Sequence, residues 1–139
     1  MFCYVHTVQY YETDKMGVTH HSNYIRWMEE ARVALLESLG MGYDKLEAMG
    51  ILSPVTSVAC EYRAPTAFRD EVTVRVRIAK YDGVHLNVGY EMFLPGREQP
   101  VLTGQSSHVF LNAKGAFVRM RRDYPQVDAL MRELAAQDA

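Results

Sequence analysis

Residues 72–92 read VTVRVRIAKYDGVHLNVGYEM. Val72, Val74, Val76 and Ile78 alternate with Thr73, Arg75, Arg77 and Ala79. Val84, Leu86, Val88, Tyr90 and Met92 alternate with His85, Asn87, Gly89 and Glu91. A period of two sends one set to a core and the other to water, so each run reads as a half-buried strand. Asp82-Gly83 between them predicts a two-residue hairpin turn, because both residues tolerate positive φ. Strands joined that tightly run antiparallel. The same period continues outward to Val58, Cys60 and Tyr62 and to residues 101–111. After a Lys114-Gly115 turn it predicts a last strand around Phe117–Met120. Pro95-Gly96 through Pro100 marks a further turn. Residues 2–11 also alternate, with Phe2, Tyr4, His6, Val8 and Tyr10 on one face, and predict a first strand.

One segment breaks this period. In residues 22–39, Tyr24, Trp27, Met28, Ala31, Leu35 and Leu39 recur at steps of three and four, which predicts the main helix. Ser22 or Asn23 is placed to cap its start, and Gly40 stands where a left-handed C-terminal cap is wanted. Residues 43–49 suit a short second helix ended by Gly50. Asp123 and Pro125 open a C-terminal helix with Val127, Leu130, Met131 and Leu134 on one face. Hairpin-linked strands with one long inserted helix make an α+β fold. A single sheet with one covered face leaves edges exposed, and pairing of subunits is the usual remedy.

The composition excludes several classes. The 139 residues are 48% hydrophobic and 23% charged, an ordinary balance for one folded domain spanning 1–139. Fifteen basic against 17 acidic side chains leave a formal charge of -2, which argues against a general nucleic-acid binder. Cys3 and Cys60 form no CxxC and no ligand spacing, so reduced thiols in a cytoplasmic protein are expected. The opening MFCYVHTVQYY lacks a secretory signal's basic start and apolar run. No stretch approaches the ~20 apolar residues of a membrane span.

The chemistry-bearing stretch is residues 10–32, YYETDKMGVTHHSNYIRWMEEAR. It places a carboxylate, a glycine loop and two histidines directly before a helix start. Unpaired N–H groups and the partial positive charge of a helix start can hold an oxyanion developing on an acyl carbonyl. An ionised Asp14 turned back to that spot can attack the acyl carbon or take a proton from water. The bland alternative is that Asp14 caps a turn. His20-His21 invites a metal reading, but adjacent side chains rarely converge on one ion and no HExxH is present. Asp14, His21 and Ser22 supply serine-triad residue types, yet there is no GxSxG, and Ser22 reads better as a helix cap. Arg75 with Arg77, and Arg119 with Arg121 and Arg122, are solvated charges that can also meet phosphates. No GxGxxG or Walker sequence is present.

The run Tyr11-Glu12-Thr13-Asp14, Gly17-Val18, His21-Ser22-Asn23-Tyr24 and Trp27-Met28-Glu29-Glu30-Ala31-Arg32 resembles the signature of the 4-hydroxybenzoyl-CoA thioesterase family. This hot-dog group includes the short acyl-CoA thioesterases encoded near the Tol-Pal genes. The likeness extends to Tyr62-Arg63-Ala64-Pro65, to 72–92 and to Gly104 through Asn112, nearly the whole chain. It implies a five-stranded antiparallel sheet wrapped around one long helix, with active sites between paired subunits. It implies an acyl-CoA thioesterase that releases a carboxylic acid and free CoA without a metal or redox cofactor. By the same resemblance Asp14 is nucleophile or general base, and the backbone N–H at His21 holds the thioester oxygen. Gly17, His20, Asn23 and Tyr24 lie in the same stretch and are the expected substrate-binding residues. Acyl-CoA members carry a histidine at position 21 and hydroxybenzoyl members an aromatic, so His21 points away from 4-hydroxybenzoyl-CoA. Some relatives bind the CoA phosphates with a basic cluster near the 81–84 turn, where this chain has Tyr81-Asp82-Gly83. The expected partner is an acyl-CoA substrate, with no nucleic acid and no membrane span, and the expected assembly is a homodimer or homotetramer. The alternatives are a non-catalytic acyl-CoA-binding or sensing module and a thioesterase acting on acyl carrier protein. An intact Asp14 favours the enzyme over the sensor, since binding alone gains nothing from an anion beside the thioester.

Overall fold

A computed structural model describes residues 2–138. The elements run β1 (Phe2–Thr7), α1 (Ser22–Ser38), α2 (Tyr43–Ala48), β2 (Val55–Tyr62), β3 (Glu71–Tyr81), β4 (His85–Phe93), β5 (Leu102–Val109), α3 (Met120–Asp123) and α4 (Pro125–Asp138). The strands form one sheet in the order β1-β3-β4-β5-β2, with every pairing antiparallel. The alternation of residues 72–92 sets its register. Val74 faces Met92 and Val76 faces Tyr90 across β3 and β4. All four are buried, while Arg75 on the other face is exposed.

Helix α1 lies on the buried face. Its stripe of Tyr24, Trp27, Met28, Ala31 and Leu35 is buried, and each large side chain withdrawn from water contributes about 1.5–3 kcal/mol. The helix ends as its glycine predicts. Gly40 takes φ +73, its N–H donates to Glu37 O at 3.0 Å, and the Met41 N–H donates to Leu36 O at 2.9 Å. These paired bonds satisfy carbonyls that the last turn leaves open. The start differs from expectation. His21 occupies the cap position but its own side chain makes no capping bond, and the Ser22 N–H donates to His20 Nδ1 at 3.2 Å. Ser22 Oγ also meets His20 Nδ1, at 2.8 Å. The Asn23 amide donates backwards to Glu12 O at 3.0 Å and His20 O at 3.2 Å.

Three further expectations are corrected. β1 stops at Thr7, and Tyr10–Glu12 form a 3-10 turn because the Glu12 carboxylate captures the Gln9 N–H at 2.8 Å. At the β3–β4 turn only Gly83 adopts positive φ, at +91. Asp82 contributes its carboxylate instead, which accepts from the Val84 and His85 N–H groups. The segment around Phe117–Met120 supplies one bridge, Leu111 to Phe117, and Met120 already opens α3. Asp123 then lies in α3, and α4 begins at Pro125.

A polar thread crosses the core. Arg32 is buried and donates to the hydroxyls of Tyr43 and Tyr90, each at 2.9 Å. Tyr90 meets Ser106 at 2.8 Å, and Ser106 meets His108 Nε2 at 2.7 Å. His108 Nδ1 is buried with no hydrogen-bond partner among the described residues. Burial, then the Arg32 charge, pushes the His108 pKa down to about 4. At the rim, β2 pairs only with β5, and Val55, Val58 and Tyr62 on it stay exposed. No helix among the described residues is long and apolar enough to cross a membrane.

Candidate active site

Residues 12–20 fold into a small antiparallel loop packed against the start of α1. The His20 N–H donates to Glu12 O at 2.8 Å, Thr13 bridges Thr19, and the Asp14 N–H donates to Val18 O at 2.9 Å. The tip closes through the Gly17 N–H on Asp14 O at 3.0 Å, with Gly17 at φ +78. A side chain there would strain the backbone, which is why the tip takes glycine. Thr66 pins the returning strand. Its carbonyl accepts from the Thr19 N–H at 2.8 Å. Its hydroxyl meets Thr19 Oγ1 at 2.6 Å and the Tyr24 hydroxyl at 2.9 Å.

Asp14 is half-buried at this tip. Oδ1 accepts the Met16 N–H at 2.8 Å, which is the turn-capping role. Oδ2 takes no hydrogen bond among the described residues. One oxygen therefore fixes the side chain and the other remains available. At the far end of the loop, His21 begins α1 with φ -57. Its N–H meets no acceptor among the described residues, and its carbonyl accepts from the Tyr62 hydroxyl at 3.1 Å. A free N–H at a helix start is a preorganised donor for an anion or a polarised carbonyl.

A shallow cleft of about 280 Å³ opens beside His21, lined by Thr19, His21, Tyr24, Tyr62, Arg63, Ala64 and Pro65. It unites His21 and Tyr24 with Tyr62 and Arg63 from the end of β2. Asp14, Gly17, His20 and Asn23 are outside its lining. His20 stacks on His21 with ring centres 4.2 Å apart. The Asn23 amide is engaged by backbone carbonyls, and the Tyr24 hydroxyl by Thr66. The Ser22 hydroxyl meets His20 and not His21, so no serine triad is assembled.

The sequence showed Glu12 only as part of a motif, and Tyr62 only as part of a motif and of an alternating strand. Glu12 is 4% exposed and holds the loop from beneath. Burial raises its pKa, and the hydrogen bonds from the Gln9 N–H, His6 and Trp27 outweigh that and leave it lowered. Tyr62 sits near His21, ring centres 6.2 Å apart. A second cleft, of about 410 Å³, lies at the β3–β4 turn among Asp82, Gly83, Val84, Arg119, Arg121, Arg122 and Arg132. Arg122 pairs with Asp123 and Arg132 with Asp128 at 2.8 Å each, while the Arg119 and Arg121 guanidiniums make no salt bridge among the described residues and act on Asp123 and Asp128 only from a distance. The turn lacks basic residues of its own, but the fold brings arginines to it from α3, α4 and the residue before α3.

Residues 8–134 match the family model described as the thioesterase-like superfamily. The chain belongs to that superfamily. A Bacillus subtilis (strain 168) protein named "Putative acyl-CoA thioesterase YneP" is 35% identical over 120 residues, covering 85% of this chain and 86% of that protein. A 1,4-dihydroxy-2-naphthoyl-CoA hydrolase of Synechococcus sp. (strain RCC307) is 28% identical over 130 residues, covering 90% and 94%. The crystal structure of DHNA-CoA thioesterase from Staphylococcus aureus superposes with a TM-score of 0.90 at 29% identity, covering 97% of this chain and 91% of that one. The sheet curled around α1 is therefore the hot-dog fold of a thioester-hydrolase family. The loop and the helix start lie inside the matched region, as do the arginines of the second cleft.

Proposed function

We propose that the chain hydrolyses an acyl-CoA thioester to a carboxylic acid and free CoA. The observation that carries this reading is a half-engaged carboxylate, Asp14, on the loop that ends at a free helix-start N–H, that of His21. The His21 N–H accepts charge building on the thioester oxygen, helped by the helix dipole. Asp14 Oδ2 then works in one of two ways. As general base it takes a proton from water while the water oxygen bonds to the acyl carbon. As nucleophile it forms an acyl anhydride that water cleaves. In both routes the carbon–sulfur bond breaks and the thiolate of CoA leaves with the electron pair, later taking the proton. The His21 ring, Tyr24 and Tyr62 border the acyl end, the His20 ring backs His21 from outside the cleft, Gly17 lets the loop tip close, and Asn23 fixes the loop to α1. Arg119, Arg121 and their neighbours at the β3–β4 turn suit the CoA phosphates, since guanidinium forks match phosphate geometry.

The active form in this reading is a cytoplasmic homodimer or homotetramer of single-domain chains. The cleft at His21 is shallow, and the neighbouring strand β2 presents an unpaired edge with exposed Val55, Val58 and Tyr62. A second copy laid on that edge supplies the missing wall and covers the apolar side chains.

The test is Asp14→Asn, which keeps the shape and removes the charge. Thiol release across a panel of acyl-CoAs is expected to fall in kcat by ~10²-fold or more, the scale of a positioned acid–base group. Acyl-CoA binding and melting temperature should stay close to wild type. Near-full activity of Asp14→Asn would overturn the role of Asp14. Tight acyl-CoA binding by wild type without thiol release would replace the enzyme with a binding module.

A further inference from the structure

Glu12 is a buried carboxylate two residues before Asp14, and everything around it donates to it. Oε1 accepts from the Gln9 N–H and from His6 Nε2, each at 2.8 Å. Oε2 accepts from Trp27 Nε1 at 2.8 Å. His6 in turn reaches Glu30 Oε2 through Nδ1 at 3.1 Å, and Glu30 also accepts from the Tyr4 hydroxyl at 3.2 Å. The His6 ring lies against Trp27 with centres 4.6 Å apart. One carboxylate therefore ties β1, the 3-10 turn and α1 together at a single point.

The backbone of the same residue extends the tie into the loop. Glu12 O accepts from the His20 N–H and from the Asn23 amide, at 2.8 and 3.0 Å. Glu12 thus ties the base of the Asp14 loop to β1 and α1 through its side chain and holds the returning strand through its carbonyl. His20 immediately precedes the free N–H of His21. Any tilt of Glu12 moves the aspartate and the carbonyl-binding donor relative to each other. Burying a charged carboxylate is unfavourable unless donors surround it, and here these donors converge beneath the loop that carries the chemistry. A turn needing only local closure is met by a short exposed side chain, as Asp82 does at the β3–β4 turn.

We propose that Glu12, with His6 and Glu30 behind it, forms a positioning network that sets Asp14 against the His21 N–H. The inference rests on the catalytic reading of Asp14. Glu12 is buried with both carboxylate oxygens taken by the Gln9 N–H, His6 and Trp27, and His6 is held between Glu12 and Glu30, so both act through the loop and not on the substrate.

The experiment compares Glu12→Gln, Glu30→Ala, Asp14→Asn and the double variant Asp14→Asn with Glu12→Gln, using steady-state thiol release and thermal unfolding. An amide offers one acceptor oxygen and turns an N–H₂ toward donors that need an acceptor. Glu12→Gln is therefore expected to lower kcat roughly 10- to 100-fold with KM within about twofold, the scale of a small misplacement of reacting groups. In the Asp14→Asn background the same change is expected to lower the residual rate by less than about threefold, because residues acting as one unit are not additive. Glu30→Ala sits on an exposed helix position and tests the network even if Glu12→Gln does not fold. It is expected to lower kcat about two- to fivefold at unchanged KM and melting temperature, the scale of losing one partial support in a shared network. Wild-type kcat in Glu30→Ala, or equal fold-losses from Glu12→Gln with and without Asp14, would overturn the proposal. Full activity in Asp14→Asn would instead overturn the catalytic reading beneath it, which keeps the two failures distinct.

Discussion

His21 carries two different groups toward the cleft, an exposed imidazole and a free backbone N–H. Substitution separates them. His21→Ala removes the ring and keeps the donor. His21→Pro removes the donor, and the native φ of -57 already suits proline. In thiol-release assays His21→Ala should lose roughly threefold or less in kcat. His21→Pro should lose ~10²-fold or more, the cost of one oxyanion donor. A His21→Pro enzyme near wild-type rate would show that the carbonyl is held elsewhere. His108 makes a second prediction, about stability. Its pKa falls from the ordinary 6.5 to about 4 on folding, so the unfolded chain binds more protons between those values. Stability is then full above pH 6.5 and drains as the pH drops through that window, by about 3 kcal/mol at pH 4. Urea unfolding of wild type and His108→Gln at pH 7 and pH 4 should show a smaller acid loss in the variant. Equal losses would place the acid sensitivity elsewhere. The sequence showed His108 only as a strand residue, because Tyr90 and Arg32, which complete the polar thread beyond Ser106, lie far from it along the chain.

Two glycines frame α1 and its loop, and together they test whether backbone geometry at the loop matters beyond stability. Gly17 and Gly40 both take positive φ, +78 and +73, and neither would have an added Cβ within 4 Å of another atom. An alanine at either position therefore costs only backbone strain, about 1 kcal/mol. Both variants should melt lower by a few degrees, roughly 3 °C. Gly17→Ala should also lose most of its kcat, because the tip that closes on Asp14 must reshape. Gly40→Ala, at the far end of α1, should keep kcat unchanged. Equal kcat in the two variants would detach the loop tip from catalysis. The elements themselves were legible where a period was long: α1, the 72–92 hairpin and α4 appear close to where their patterns place them. The errors fell on short pieces. β1 stopped early because Glu12 captured the Gln9 N–H, and the last strand shrank to the Leu111–Phe117 bridge before α3.

For the molecule as a whole, the free edge of β2 predicts the assembly. A chain of 15.9 kDa should show at least twice that mass by light scattering at micromolar concentration. Lysines placed together at Val55 and Val58 should shift the mass toward the single chain by charging an edge that must pair. Thiol release should fall in step with the dimer fraction. A wild-type protein that is active at the mass of one chain would refute an interfacial site.

The sequence alone determined the α+β class, the hairpin at the sheet's centre and the inserted helix, and it singled out the stretch from Tyr10 to Arg32 as the candidate site. It could do so because periods of two and of three to four are local consequences of backbone geometry, and because a loop leading into a helix start is contiguous. Only the tertiary structure decided which oxygen of Asp14 stays available, that the His21 N–H is left without an acceptor, and that Asn23 serves the loop and not a helix cap. It alone placed Arg119, Arg121 and Arg132 beside a turn some 40 residues away in the chain and collected His6, Glu12, Trp27 and Glu30 into one network. Those facts depend on hydrogen bonds between residues that only folding makes neighbours, and no period or spacing in a linear chain encodes them.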